Sequence, residues 1–296
     1  MTLEQLRIFV AVADRQHLTQ AAEALHLSPS AVSSAIKVLE ERYAAVLFHR
    51  VGRRIELTET GRLFLPEARN ALAAAAAAEM SLSEAAGLQR GALRIEASQT
   101  IAGYWVPTLL VRFHTSHPGI DLALGIGNTQ TVARAVLEGA ADIGFIEGEI
   151  DEPALAQRVV AEDRLIVVTA PDHPWAGRGA LSGAVIAAGH WLLREPGSGT
   201  RSAFLAALTA KGIDPAALDV VMTLPSNEAV RTAVAAGPLA GVMSERVAGA
   251  AIAAGRLVRI DFELPMRAFR MLWHKERYRT HAARALEELA VATVEH

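Results

Sequence analysis

The stretch "LSPSAVSSAIKVLEERY", residues 27–43, constrains the fold more than any other part of the chain. Val32, Ile36 and Leu39 recur at steps of four and three, which lines one helix face and demands a core against it. Ser28 is a good N-cap, and Pro29 suits the first turn, where its missing N–H costs nothing. The other side carries Ser30, Ser33, Ser34 and Lys37. A solvated face is usually built from Glu, Lys and Arg, and serine is only a middling helix former. Short hydroxyls here mean either close approach to a surface or an unusual solvated face, and the residues alone leave both readings open.

The flanking segments favour close approach. Leu6, Phe9, Val10 and Ala13 predict a helix over 3–14, and a second runs from about Thr19 to His26. Helix, tight turn and serine-faced helix is the helix-turn-helix pattern. "LFHRVGRRIELTETG" then reads as a two-stranded wing tipped with arginines, with Thr58 capping the next helix. His49, Arg50, Arg53, Arg54 and Arg62 form a basic edge opposed only by Glu56 and Glu59. That edge suits phosphate although the net charge is −3.

The helix after Thr58 is predicted to run through "ALAAAAAAEMSLSEAA" to about Ala86, ended by Gly87 and Gly91, a span of about 40 Å. Phe64, Ala68, Leu72, Ala75 and Leu82 suggest a dimer seam, and low-complexity filler is the alternative. From Ala92 short apolar strands alternate with helical segments, which predicts a doubly wound, parallel α/β region of two lobes with a cleft. Ligands in such sheets sit at the carboxyl ends of the strands.

Composition narrows the class. With 51% hydrophobic and 21% charged residues the chain is globular, and no cysteine allows neither a disulfide nor a thiolate metal site. The amino terminus lacks a secretory pattern and no run reaches the roughly 18 apolar residues that span a bilayer. A cytoplasmic protein without a membrane partner is expected. His114 and His117 lack a third ligand, so no metal is expected, and no catalytic constellation points to an enzyme.

"MTLEQLRIFVAVAD", "LTQAAEALHLSPSAVSSAIKVLEE", "LFHRVGRRIELTETG" and the later α/β segments resemble the LysR-type transcriptional regulators across essentially the whole chain. The resemblance implies an N-terminal all-α winged helix-turn-helix over 1–58 and a linker and dimerisation helix over 59–88. It also implies an α/β two-lobed, periplasmic-binding-protein-like effector domain over 89–296. Lobe I is expected at about 91–161 and 266–296, and lobe II at about 162–265, with crossings near Glu162 and Pro265. Double-stranded operator DNA, a small metabolite effector and self-association, as a dimer or a tetramer, are the implied partners, and RNA polymerase is left open. Ser28, Ser30, Ser33, Ser34, Lys37, Arg50, Arg53 and Arg54 become the DNA-contacting candidates. Pro29 and Ser30 stand where the family often has Gln then Pro, which bears on the DNA sequence read.

No cofactor is implied beyond the effector, whose candidate contacts fall at strand-to-helix junctions. "REPGSGTRSAF" offers Ser198, Gly199 and Thr200 at a helix start, where free N–H groups and the dipole suit an anion, or where a hydroxyl simply caps. Ser98, Gln99 and Thr100, and Asn128 and Thr129, occupy equivalent positions. Glu147 either selects a partly protonated or cationic group or is merely solvated. Asn227 and Glu228 are as readily caps as ligands. The wording of "REPGSGTR" and "GNTQTV" is similar to family members linked to sulfur and carbon-fixation genes. Two other classes compete: a small-molecule binding protein without DNA function, which has no use for residues 1–65, and an enzyme, which lacks a nucleophile.

Overall fold

A computed structural model describes residues 1–51, 54–85 and 91–292. They form two compact units, one built on residues up to 85 and one on those after 90, with the loops 138–140 and 277–280 grouped with the first.

The first unit comprises α1 (Leu3–Arg15), α2 (Leu18–Ala24), α3 (Pro29–Tyr43), β1 (Phe48–Val51), β2 (Arg54–Leu57) and α4 (Glu59–Ala85). Thr2 and Gln5 cap α1 reciprocally. The second helix is shorter than predicted because Leu25 ends it and His26 turns left-handed at φ 55°. Ser28 Oγ accepts the Ala31 N–H at 3.2 Å, and Pro29 opens α3. Strands β1 and β2 pair antiparallel, and Thr58 Oγ1 accepts the Gly61 N–H at 3.0 Å to start α4. The expected end near Ala86 and Gly87 lies outside the described residues.

Phe9 is fully buried at the centre of this unit, with Phe48 and Phe64 ring centroids 5.3 and 5.0 Å away. Ala68 is buried in the same core, and Leu72 packs on it. Of the predicted seam, Ala68 is therefore buried in the chain's own head, and the partly buried Phe64 and Leu72 pack against that core. Leu82 is exposed. Asp14 of α1 holds Arg69 of α4 at 2.6 Å, adding a polar tie to this apolar face.

The second unit contains β3 (Gly91–Ser98), α5 (Gln99–Tyr104), α6 (Val106–Ser116), β4 (Ile120–Gly127), α7 (Thr129–Leu137) and β5 (Ile143–Glu147). It continues with β6 (Leu155–Thr169), α8 (Gly183–Ala187), β7 (His190–Arg194), α9 (Gly199–Ala210), β8 (Asp219–Leu224) and α10 (Asn227–Ala235). It ends with β9 (Ala240–Ser244), α11 (Glu245–Ala253), β10 (Val258–Ile260), β11 (Met266–His274) and α12 (His281–Ala292). The strand order is β4-β3-β5-β11-β6-β9-β7-β8, with β10 also on β6.

The all-parallel expectation is corrected. Strands β3, β4 and β5 are parallel, as are β7, β8 and β9, but β6 and β11 run antiparallel through the middle. "RLIVVTAP" covers only the second part of the 15-residue β6, whose first part is interrupted by polar residues and gave no apolar run. The chain changes lobe inside this strand: residues through Arg164 pair with β11, and Leu165 onward pairs with β9. Each lobe buries both sheet faces: Phe145 and Met271 enter one cluster of lobe I, Ile146 and Leu272 the other. In lobe II, Trp191 and Leu192 divide in the same way. Two-sided burial is why these strands read as unbroken apolar runs.

All four tryptophans, Trp105, Trp175, Trp191 and Trp273, lie in the second unit, so their fluorescence reports on it alone. Phe9→Ala is expected to destabilise the head by about 3–5 kcal/mol. In denaturant titrations, helical circular dichroism should lose part of its amplitude earlier while the tryptophan transition stays in place. A variant with both transitions unmoved would contradict the assigned core.

Candidate DNA-reading face and effector cleft

On the first unit, the buried stripe of Val32, Ile36 and Leu39 turns the opposite side of α3 outward. Ser28, Ser30, Ser34 and Lys37 are exposed and Ser33 is half-buried. Ser28 Oγ lies 3.0 Å from Ser30 Oγ, so two of the candidates already share a hydrogen bond at the helix start. Lys37 meets Glu41 at 3.5 Å, both well exposed, and such a pair contributes little and releases its cation readily.

Ser33, Lys37 and Arg50 border one shallow pocket of about 130 Å³, floored by Ile36, Phe48 and Ile55. This places an exposed wing arginine beside the helix that carries the hydroxyls. Glu40, which sequence reasoning passed over, fixes the arrangement: its Oε1 accepts the N–H of Leu47 at 2.7 Å and of Phe48 at 3.2 Å. One carboxylate thereby ties α3 to the start of β1. Arg53 lies outside the described residues, and only the backbone of Arg54 is described, at the start of β2.

On the second unit, the polar centre is Arg267, only 6% exposed. Its register partner across β6 and β11 is Asp163, two residues before the change of lobe, and their groups meet at 2.7 and 2.8 Å. Asp163 also accepts from Ser244 of lobe II at 2.6 Å. Arg267 Nη1 donates to Thr200 of α9 at 3.0 Å, and Nη2, besides meeting Asp163, donates to Thr100 of α5 at 3.5 Å. Asn227 adds a further bond to Thr100 at 3.1 Å, and Arg194 donates to the other end of its amide. Arg267, Asp163 and Arg194 were not singled out from sequence, because an Arg and an Asp 104 residues apart carry no local signal.

The junction residues divide by what they do. Ser98 and Ser198 are buried N-cap positions whose side chains make no capping bond, and Thr200 accepts from Arg267, so simple capping does not explain these hydroxyls. Gln99 clasps lobe II, donating to the Pro225 carbonyl at 2.8 Å and accepting the Asn227 N–H at 2.9 Å. Ser226 caps α10, which frees Asn227 for the network, while Glu228 accepts the Tyr104 hydroxyl at 2.9 Å. Burial, then that Glu228 bond, pushes the Tyr104 phenol above its usual range.

Asn128 caps α7 through the Thr131 N–H at 3.0 Å and donates to Glu195 at 3.2 Å. Thr129 and Glu147 meet, and both are buried; the solvated reading of Glu147 is thus corrected. Gly199 packs so tightly that a Cβ there would stand 2.6 Å from Thr129 Oγ1 and 2.7 Å from the Glu147 carbonyl. Its lack of a side chain lets α9 of lobe II reach lobe I. Among the described residues no cluster of three or more His, Cys, Asp or Glu is placed to hold a metal, and no helix is long and apolar enough to cross a membrane.

Comparison with known proteins matches both units. Residues 3–62 match the bacterial regulatory helix-turn-helix protein, lysR family, and residues 86–295 match the LysR substrate binding domain. An uncharacterised HTH-type transcriptional regulator of Escherichia coli, YeiE, is 37% identical over 97% of this chain and 94% of its own. A RuBisCO operon transcriptional regulator of Allochromatium vinosum is 33% identical over 89% of this chain and 86% of its own. The fold is shared with full-length CbnR solved with its target DNA, at a TM-score of 0.68, 22% identity and 99% coverage of both chains. A DNA-binding head carrying a small-molecule-binding domain of this kind makes the chain a member of the LysR family of bacterial transcriptional regulators.

Proposed function

We propose that this regulator reads operator DNA with the outer face of α3 and the wing, and that a small anionic metabolite between the two lobes controls it. Residues 1–58 are assigned to DNA reading, 59–88 to linking and pairing, and 89–296 to the effector. The observation that carries the effector reading is the buried Arg267, which joins hydroxyls from both lobes, Thr100 and Thr200, beside the start of α9. A guanidinium, paired hydroxyls and helix amides are the donor set that an oxyanion or carboxylate satisfies. Ser98, Gln99, Ser198 and Gly199 border the same junctions, Asn128 and Thr129 open α7, and Glu147 lies next to Thr129.

On the head, Ser28, Ser30, Ser33 and Ser34 would bond base edges or phosphates at short range, with Lys37 and Arg50 adding charge. Arg53 and Arg54 at the wing are assigned to flanking phosphate. The related CbnR was solved on its target DNA, which supports this mode of action. Self-association, as a dimer or a pair of dimers, presents two heads to one operator. An effector acts only through its different affinity for the two lobe arrangements.

Ser33→Ala with Lys37→Ala is expected to weaken operator binding at least tenfold while circular dichroism remains that of the folded chain. Unchanged affinity in a folded double variant would remove α3 from the DNA interface. The effector reading is tested by thermal unfolding of the full chain with sulfate, sulfite, thiosulfate, phosphate, phosphosugars and dicarboxylates. A ligand at 100 times its Kd should stabilise the effector unit by about 2.7 kcal/mol, or about 5–10 °C. The shift should be lost in Thr200→Val. Absence of any saturable shift would contradict an anionic effector.

A further inference from the structure

Glu147 is a buried carboxylate whose bonding is incomplete. It ends β5, 3% exposed, beside the first turn of α9. The buried Asp163 accepts from Arg267 and Ser244, and the buried Glu287 accepts from Arg158 at 2.8 Å. Glu147 has only the Thr129 hydroxyl, 3.4 Å from its Oε2, and the same hydroxyl lies closer, at 3.2 Å, to the Glu147 carbonyl. One hydroxyl carries one proton and cannot serve both. Arg267 Nη2 forms a buried ion pair with Oε1 at 3.9 Å, too long for a hydrogen bond, and makes its shorter contact with Asp163 at 2.7 Å. Among the described residues, no amide of the α9 first turn donates to this carboxylate.

A buried carboxylate supplied by one shared hydroxyl and one more distant cation is short of donors, so it has use for a donor from elsewhere. Ser98 Oγ, buried at the end of β3 just before Gln99 and Thr100, is without a partner among the described residues. We propose that Glu147 selects effectors that bring their own proton: an oxyanion that keeps an acidic hydrogen or carries a hydroxyl, in preference to a fully ionised anion of the same shape. This rests on the reading that an anion occupies the cleft. Arg267, the hydroxyls and the α9 amides take the anionic oxygens. The Glu147 carboxylate takes the O–H and disfavours any ligand that presents a bare oxygen there.

Hydrogen phosphate and sulfate are matched tetrahedral anions that differ near neutral pH by one retained proton. Glycolate and acetate form a second pair, with and without a hydroxyl. Each is titrated against the full chain by calorimetry, wild type beside Glu147→Gln. The wild type is expected to prefer the donor-bearing member of at least one pair by about tenfold or more, the scale of one hydrogen bond to a buried charge. In Glu147→Gln, whose amide offers a donor, that preference should fall towards one. Equal affinities within both pairs, or a preference that survives the substitution, would overturn the selection while leaving an anionic effector in place. Failure of all four to bind the wild type would overturn this inference, while the wider anion screen decides the anionic reading separately. The wild-type comparison holds even where the variant fails to fold.

Discussion

A guanidinium in a protein interior must find acceptors, because an unpaired buried charge costs far more than most single contacts contribute. Arg267 meets that demand with Asp163 across the two strands that cross between the lobes, and then with one threonine from each lobe. The rest of the effector unit is arranged around this point. Strands β6 and β11 run antiparallel through it, the parallel strands of each lobe fan out to either side, and α5 and α9 begin beside it. Because Asp163 also holds Ser244 of lobe II, a change at the arginine is felt in both halves. On the proposed reading, a ligand that competes for the guanidinium would replace bonds that hold the lobes together and so alter their arrangement.

The head obeys a different constraint. Its core is apolar, centred on Phe9, and the first turns of α4 supply part of it through Phe64 and Ala68. The long helix therefore does not leave the head as a free rod. Its root is packed against α1, so the two cannot reorient independently without opening that core. Glu40 plays the corresponding role between α3 and the wing, because its two backbone bonds fix the strand that carries Arg50.

Local signals in the sequence were enough for the head. Ser28-Pro29 started α3, the four-three spacing of Val32, Ile36 and Leu39 set its buried face, and Thr58 began α4. The second helix reads as running to His26, because the left-handed turn there is not marked by the glycine that commonly favours it. In the effector unit the buried apolar strands were legible, but β6 was only half seen, since its first ten residues are interrupted by Gln157, Arg158, Glu162, Asp163 and Arg164. The junction hydroxyls could be found because strand ends and helix starts are local features. Arg267 and Asp163 could not, because their meaning arises only when β6 and β11 pair, and nothing near either residue marks it. Glu147 could be read either as a cleft residue or as a solvated acid after an apolar strand, and the approach of α9 at Gly199 is part of what buries it.

The most direct test of the account is amide hydrogen exchange on the full chain, with and without the anion that stabilises it best. If the cleft around Arg267 is the effector site, protection should rise at the start of α5, at the start of α9 and around Arg267 in β11, with the outer edges β4 and β8 little changed. Increased protection confined to other segments, with those three unaltered, would contradict it.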